Sequence, residues 1–247
     1  MTDLASTSAL ADDDQPAPPA PPAPPAAAAP PPPPTAVPAA APAPPMSTVR
    51  RGVQLIVGLL GYTLSMAMMI HAGQGGMPWD VLHQGVVRST GLPFGVVVAG
   101  ASVLVLLAWI PLRQRPGIGT VANVVVISVA VDPALAVVRA VVPDPSLVAA
   151  VALALGGVVL NGVATAAYIG VRLGPGPRDG LMTGIIARTG WPVRAVKTAI
   201  EVTVVLAGLV LGGTFGWATV VYALGVGVVV QAAVRFVAPQ GLATVRR

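Results

Sequence analysis

Pro78-Trp79-Asp80-Val81-Leu82-His83-Gln84-Gly85-Val86-Val87-Arg88-Ser89-Thr90-Gly91-Leu92-Pro93 is one of two renderings of a single phrase. It returns ninety-nine residues later as Pro177-Arg178-Asp179-Gly180-Leu181-Met182-Thr183-Gly184-Ile185-Ile186-Ala187-Arg188-Thr189-Gly190-Trp191-Pro192. Seven of the sixteen positions are identical, where composition alone gives roughly one. Both renderings lie between long apolar segments. A polar phrase duplicated inside a hydrophobic chain marks a membrane protein built from two repeats, with its site between them.

Composition supports this. Apolar residues make up 55% of the 247 and charged residues only 9%, against about 25% charged in a soluble domain. Mean hydropathy is +0.81. Six apolar runs are each long enough for a hydrocarbon core of about 30 Å: about 52–72, 94–112, 117–142, 147–171, 195–213 and 216–237. The third contains Asp132-Pro133, which predicts a kink or break. The net charge of +5 is no nucleic-acid footprint, because its Lys and Arg flank apolar spans, where they set orientation. With the N-terminus in the cytoplasm, twelve of these cations fall inside and only Arg88 and Arg139 outside, so both termini are expected to be cytoplasmic. There is no cysteine, which excludes disulfides and thiolate metal sites.

Three domains are expected. Residues 1–49, rich in Pro and Ala, have nothing to bury and read as a disordered cytoplasmic tail. Residues 50–238 form the membrane domain, with repeats at about 50–142 and 147–238. Residues 239–247 are a short basic C-terminal tail. Three spans per repeat is an odd number, so the second repeat enters the bilayer inverted. The expected fold is all-α and polytopic: six transmembrane helices as a 3+3 inverted repeat, plus two short re-entrant or broken helices, one per phrase. A helix over Trp79–Thr90 is only about 18 Å long, too short to cross. Gly73-Gln74-Gly75-Gly76 and Gly174-Pro175-Gly176 release the backbone just before each phrase.

Each phrase opens Pro-x-Asp. Proline fits the first helical position, and an acid in the first turn suits the positive helix end. Asp80 and Asp179 can therefore cap their helices, or act as paired acids for a cation or proton; the two roles are compatible. His83 and Gln84 follow Asp80, and Arg178 stands where Trp79 stood in the first copy. Within the spans, Glu201 has Lys197 four residues before it and Asp132 has Arg139 seven residues on, spacings that allow ion pairs. Asn123, Asn161 and Gln231 can hydrogen-bond between helices, and span glycines such as Gly58, Gly157 and Gly208 permit close packing. The candidate substrate- or ion-binding residues are Asp80, His83, Gln84, Asp179, Arg178, Asn161 and Glu201. No phosphate loop, nucleophile elbow or paired zinc histidines occur, so neither an enzyme nor a cofactor or metal site is expected. The expected partners are the lipid bilayer and an unknown small molecule or ion. Nucleic acid is not one, and self-association is open.

Three motifs carry a family resemblance: Pro78 to Gly85, Trp109-Ile110-Pro111-Leu112-Arg113-Gln114-Arg115-Pro116-Gly117-Ile118-Gly119-Thr120, and Leu173 to Met182. Together they make residues 50–238 resemble the YczE branch of the YitT/YczE bacterial membrane proteins. The tail lies outside that pattern. The resemblance implies a multi-pass protein of the bacterial cytoplasmic membrane, and a transport role is suspected for the family. Architecture and resemblance give a small secondary transporter or exporter as the leading expectation. The alternatives are a non-transporting accessory or scaffold protein for another complex, and, more weakly, a channel.

Overall fold

A computed structural model describes residues 46–237; the expectations for the N-terminal tail up to residue 45 and for the C-terminal tail lie outside the described residues. Eight helices follow in order: α1 (Thr48–Ala72), α2 (Pro78–Thr90), α3 (Phe94–Leu112), α4 (Ile118–Val141), α5 (Leu147–Gly170), α6 (Pro177–Thr189), α7 (Val193–Val210) and α8 (Trp217–Val237). There is no strand among the described residues. The first helix starts inside the expected tail, because Ser47 Oγ accepts the Arg50 amide at 3.3 Å and caps it.

Five helices, α1, α3, α4, α5 and α8, are long and apolar enough to cross a membrane. Their outward residues remain apolar without protein cover, as at Ile110, Val129 and Leu224, which suits lipid contact. The remaining expected span is α7, of 18 residues, which carries Arg194, Lys197 and Glu201.

Helix starts keep the spacing of the duplicated phrase. Thr48, Pro78, Phe94 and Ile118 open the first four helices, and Leu147, Pro177, Val193 and Trp217 the last four, each pair ninety-nine positions apart. Both short helices begin on proline and end on a left-handed glycine, Gly91 and Gly190.

α1 packs along α5 at the centre; α4 flanks α1 and α8 flanks α5. Small residues set the separation: a Cβ on Gly157 would lie 2.6 Å from Met69 Cγ. The short helices cross over, α2 packing on α7 and α6 on α3. Trp109 lies against Gly180 and donates from Nε1 to the Pro177 carbonyl at 3.0 Å.

The loops leading into the short helices cross in the same way. The Gln74 carbonyl accepts the Ala218 amide at 3.1 Å, and the Leu173 carbonyl accepts the Gly119 amide at 2.7 Å. Gly75 and Gly174 follow these carbonyls with φ of 108° and 127° and lie against the backbones of Gly216 and Gly117. Both the positive φ and the close approach require glycine there.

The main break in the correspondence is between neighbouring helices: α3 packs on α4, whereas among the described residues α7 and α8 do not form a packed pair.

Two expectations meet the structure here. Of the kink or break expected at Pro133, the break does not occur: α4 runs continuously through it, since a proline removes one amide and neighbouring helices can hold the rest. Asp132 does not pair with Arg139. Its carboxylate accepts the amides of Phe94 at 3.1 Å and Gly95 at 3.0 Å, satisfying the free N-terminus of α3.

Candidate functional site

The two phrases meet through equivalent positions. Arg178 holds its guanidinium carbon 5.0 Å from the centroid of the Trp79 ring, a cation–π arrangement. Trp79 thus supports a cation from the other phrase. Arg178 Nη1 also donates to the Tyr62 hydroxyl at 3.4 Å. Neither of the two side-chain ion pairs found among the described residues includes Arg178.

Asp179, in the first turn of α6, accepts a 2.7 Å hydrogen bond on Oδ2 from the Tyr168 hydroxyl. Asn161 is fully buried in α5 and ties three segments together. Its Oδ1 accepts from Tyr222 of α8 at 2.9 Å, and its Nδ2 donates to Ser65 of α1 at 2.9 Å and lies 3.6 Å from Met77 Sδ. This is the interhelical role expected of it. Glu201 pairs with Lys197 at 3.4 Å.

Two adjoining cavities share the wall made by Tyr62, Thr165, Arg178, Asp179 and Tyr222. One, of about 100 Å³, reaches Asn123 and Tyr168. The other, of about 370 Å³, runs between α7 and α8, past Met182 to Lys197, Glu201 and Gln231. It occupies the breach where those helices fail to pack. Arg178, Asp179 and Glu201 therefore come together on one cavity, with Asn161 behind Tyr222.

The other candidates lie apart from that cavity. Asp80 and His83 are buried, with His83 Nδ1 3.5 Å from Asp80 Oδ1. No hydrogen bond to another protein group satisfies either carboxylate oxygen or either ring nitrogen. Asp80 sits in the first turn of α2 but makes no capping hydrogen bond. The His83 ring stands edge-on to Phe94. Gln84 lines a third cavity, of about 620 Å³, with Arg88, Asp132 and Arg139.

Sequence reading missed the tyrosines. All three in the chain, Tyr62, Tyr168 and Tyr222, line the inner cavity. A partial signal existed: Tyr62 falls in the middle of an apolar helix, whereas Tyr168 and Tyr222 lie near the ends of theirs, where aromatic belts belong. His71 donates from Nε2 to the Val142 carbonyl at 2.6 Å, away from His83. No cluster of three metal-ligating side chains occurs among the described residues.

Residues 49–235 match a family model described as a family of unknown function, DUF6198. The chain belongs to that family. It is 37% identical over 164 residues to an "Uncharacterized protein" of Haemophilus influenzae, covering 66% of this chain and 74% of that one. It is 32% identical over 178 residues to the "Uncharacterized membrane protein YczE" of Bacillus subtilis, covering 67% of this chain and 74% of that one. The resemblance read from the three motifs therefore holds, and this member of DUF6198 is, like YczE, a membrane protein. No solved structure matches it.

Proposed function

We propose that this protein is a small secondary transporter of the bacterial cytoplasmic membrane, built as a 3+3 inverted repeat with both termini in the cytoplasm. α1, α3, α4, α5, α7 and α8 are its six spans, and α2 and α6 its two re-entrant helices. The contact between Trp79 and Arg178 supports the repeat, since equivalent segments of inverted repeats meet around a pseudo-two-fold axis in the membrane plane.

One observation carries the transport reading. The α3–α4 hairpin is closed, its counterpart α7–α8 is parted, and the parting holds a cavity that reaches Arg178 and Asp179. Two repeats in unlike arrangements are what alternating access requires: one side open, the other shut. The substrate would bind against Arg178, Asp179 and the three tyrosines, and pass by exchange of the two arrangements. An accessory protein would close its buried acids into hydrogen-bond networks; Asp179 instead lines a cavity and Asp80 has no such network.

The test is flux in proteoliposomes across a panel of ions and small amphiphilic compounds, comparing the wild type with Val226→Trp. Val226 lines the breach, and a Trp there fills it. A solute moved by the wild type and at least tenfold more slowly by the folded variant supports the proposal. No flux of any solute favours the accessory role.

A further inference from the structure

Asp80 and His83 form a self-contained pair that the substrate cavity does not use. Asp80 is 0% exposed and His83 1%. Both carboxylate oxygens and both ring nitrogens are buried without a hydrogen bond to any other protein group, and Asp80 Oδ1 lies 3.5 Å from His83 Nδ1. An ionised carboxylate in such a place is strongly disfavoured by the loss of its hydration. Neutralisation by a proton removes that cost.

Its position has a transport consequence. Pro78 and Trp79, at the start of α2, line the 370 Å³ cavity. Gln84, Val87 and Arg88, further along the same helix, line the 620 Å³ cavity with Phe94. Asp80 and His83 stand between these two groups and line neither cavity. They occupy the partition.

The counterpart of Asp80 is treated differently. Asp179 has the Tyr168 hydroxyl as donor, whereas the corresponding residue of the first repeat is Met69, which has no donor. Other charged or titratable groups act on the pair at longer range: Tyr62 from α1, Arg178 from α6 and Tyr222 from α8. On α7, Lys197 and Glu201 answer one another. α3 faces His83 with the Phe94 ring.

The geometry points to Asp80 and His83 as a proton-binding site within the partition between the two cavities, the coupling site of the transporter. This rests on the transport reading for its role, but not for its chemistry. A proton arriving from water adds to a carboxylate oxygen of Asp80, giving a neutral carboxylic acid whose O–H turns to the Nδ1 lone pair of neutral His83. It leaves by breaking the same O–H bond, and no other group changes its proton count.

Infrared difference spectroscopy of the purified full-length protein in lipid vesicles, titrated with acid and alkali, tests the site without a substrate. The expected wild-type result is the carbonyl stretch of a desolvated carboxylic acid that appears and disappears reversibly across the titration. It should be lost in Asp80→Asn, kept in Asp179→Asn, and shifted in His83→Gln. Should Asp80→Asn fail to fold, Asp80→Glu keeps a titratable acid and must move the band. A band that persists in Asp80→Asn or is unmoved in Asp80→Glu overturns the site, as does its absence from the wild type. Loss of flux with this signature intact would defeat the transport reading alone.

Discussion

Tyr168 donates its hydroxyl to Asp179 at 2.7 Å from the same helix position that Met69 occupies in the first repeat. The two acids of the duplicated phrase thus have unlike surroundings. Removing this hydroxyl leaves Asp179 with less support, and a lost hydrogen bond to a charged group costs about 1.5–3 kcal/mol. Tyr168→Phe should lower the thermal midpoint in detergent. Tyr168→Phe in an Asp179→Asn background should lower it much less. Equal losses in both backgrounds would show that the bond contributes nothing.

Asp80→Asn should leave protein level and stability close to wild type, because Asp80 has no capping bond to lose. Flux, once a substrate is found, should drop at least tenfold. Full activity in Asp80→Asn, Asp179→Asn would reject any charged role for either acid.

Gly75→Ala should sharply reduce the yield of folded protein. Its φ is 108°, and a Cβ there would lie 2.5 Å from Thr219 Oγ1 and 2.7 Å from the Gly216 nitrogen. Gly91→Ala is the control. Gly91 also has positive φ, 72°, but a Cβ would meet nothing within 4 Å, so its cost is the backbone term alone, about 1–2 kcal/mol. Similar folded yields for the two variants, read by size-exclusion profile, would show that the crossed loop is not a close junction.

The breach between α7 and α8 is open to cysteine chemistry in a chain that has no cysteine. Ile200→Cys and Val226→Cys place one thiol on each wall of its cavity. They should resist direct oxidation but join through a long bifunctional reagent. Ready disulfide formation in untreated vesicles would mean that the walls are already in contact.

Reporter fusions after Arg115 and Arg172 should read cytoplasmic, and one after Val142 external. An external signal after Arg172 would end the inverted arrangement.

Much of this fold was legible because its rules are local. Apolar runs, glycine pairs and prolines put α3 at 94–112, as found, and α5 within one residue. The misjudged places depended on partners distant in sequence. Asp132 looked like a mate for Arg139 on its own helix, but the free amides of Phe94 and Gly95 took it. Asp80 and Asp179 stand at equal places in their phrases; His83, where the second phrase has Met182, could be read beside Asp80, but the Tyr168 phenol that meets Asp179 lies outside the phrase and no pattern within it could supply that partner. Of the tyrosines only Tyr62 was legible as a hydroxyl set mid-span; Tyr168 and Tyr222 read as interface aromatics, and only the assembled helices bring the three to one cavity.

The crossed loops also bear on how the chain is made. The Gln74 carbonyl is held by Ala218, a residue the ribosome reaches 144 positions later. At about 5–20 residues per second, the first phrase waits roughly 7–30 s with its lead-in loop undocked. The second loop has no such delay, since its anchor, Gly119, is already made when Leu173 emerges. Biogenesis is therefore lopsided even though the repeats match: the first half remains unfinished until the last helix is inserted, and chains truncated before Trp217 should be the preferred prey of membrane proteases.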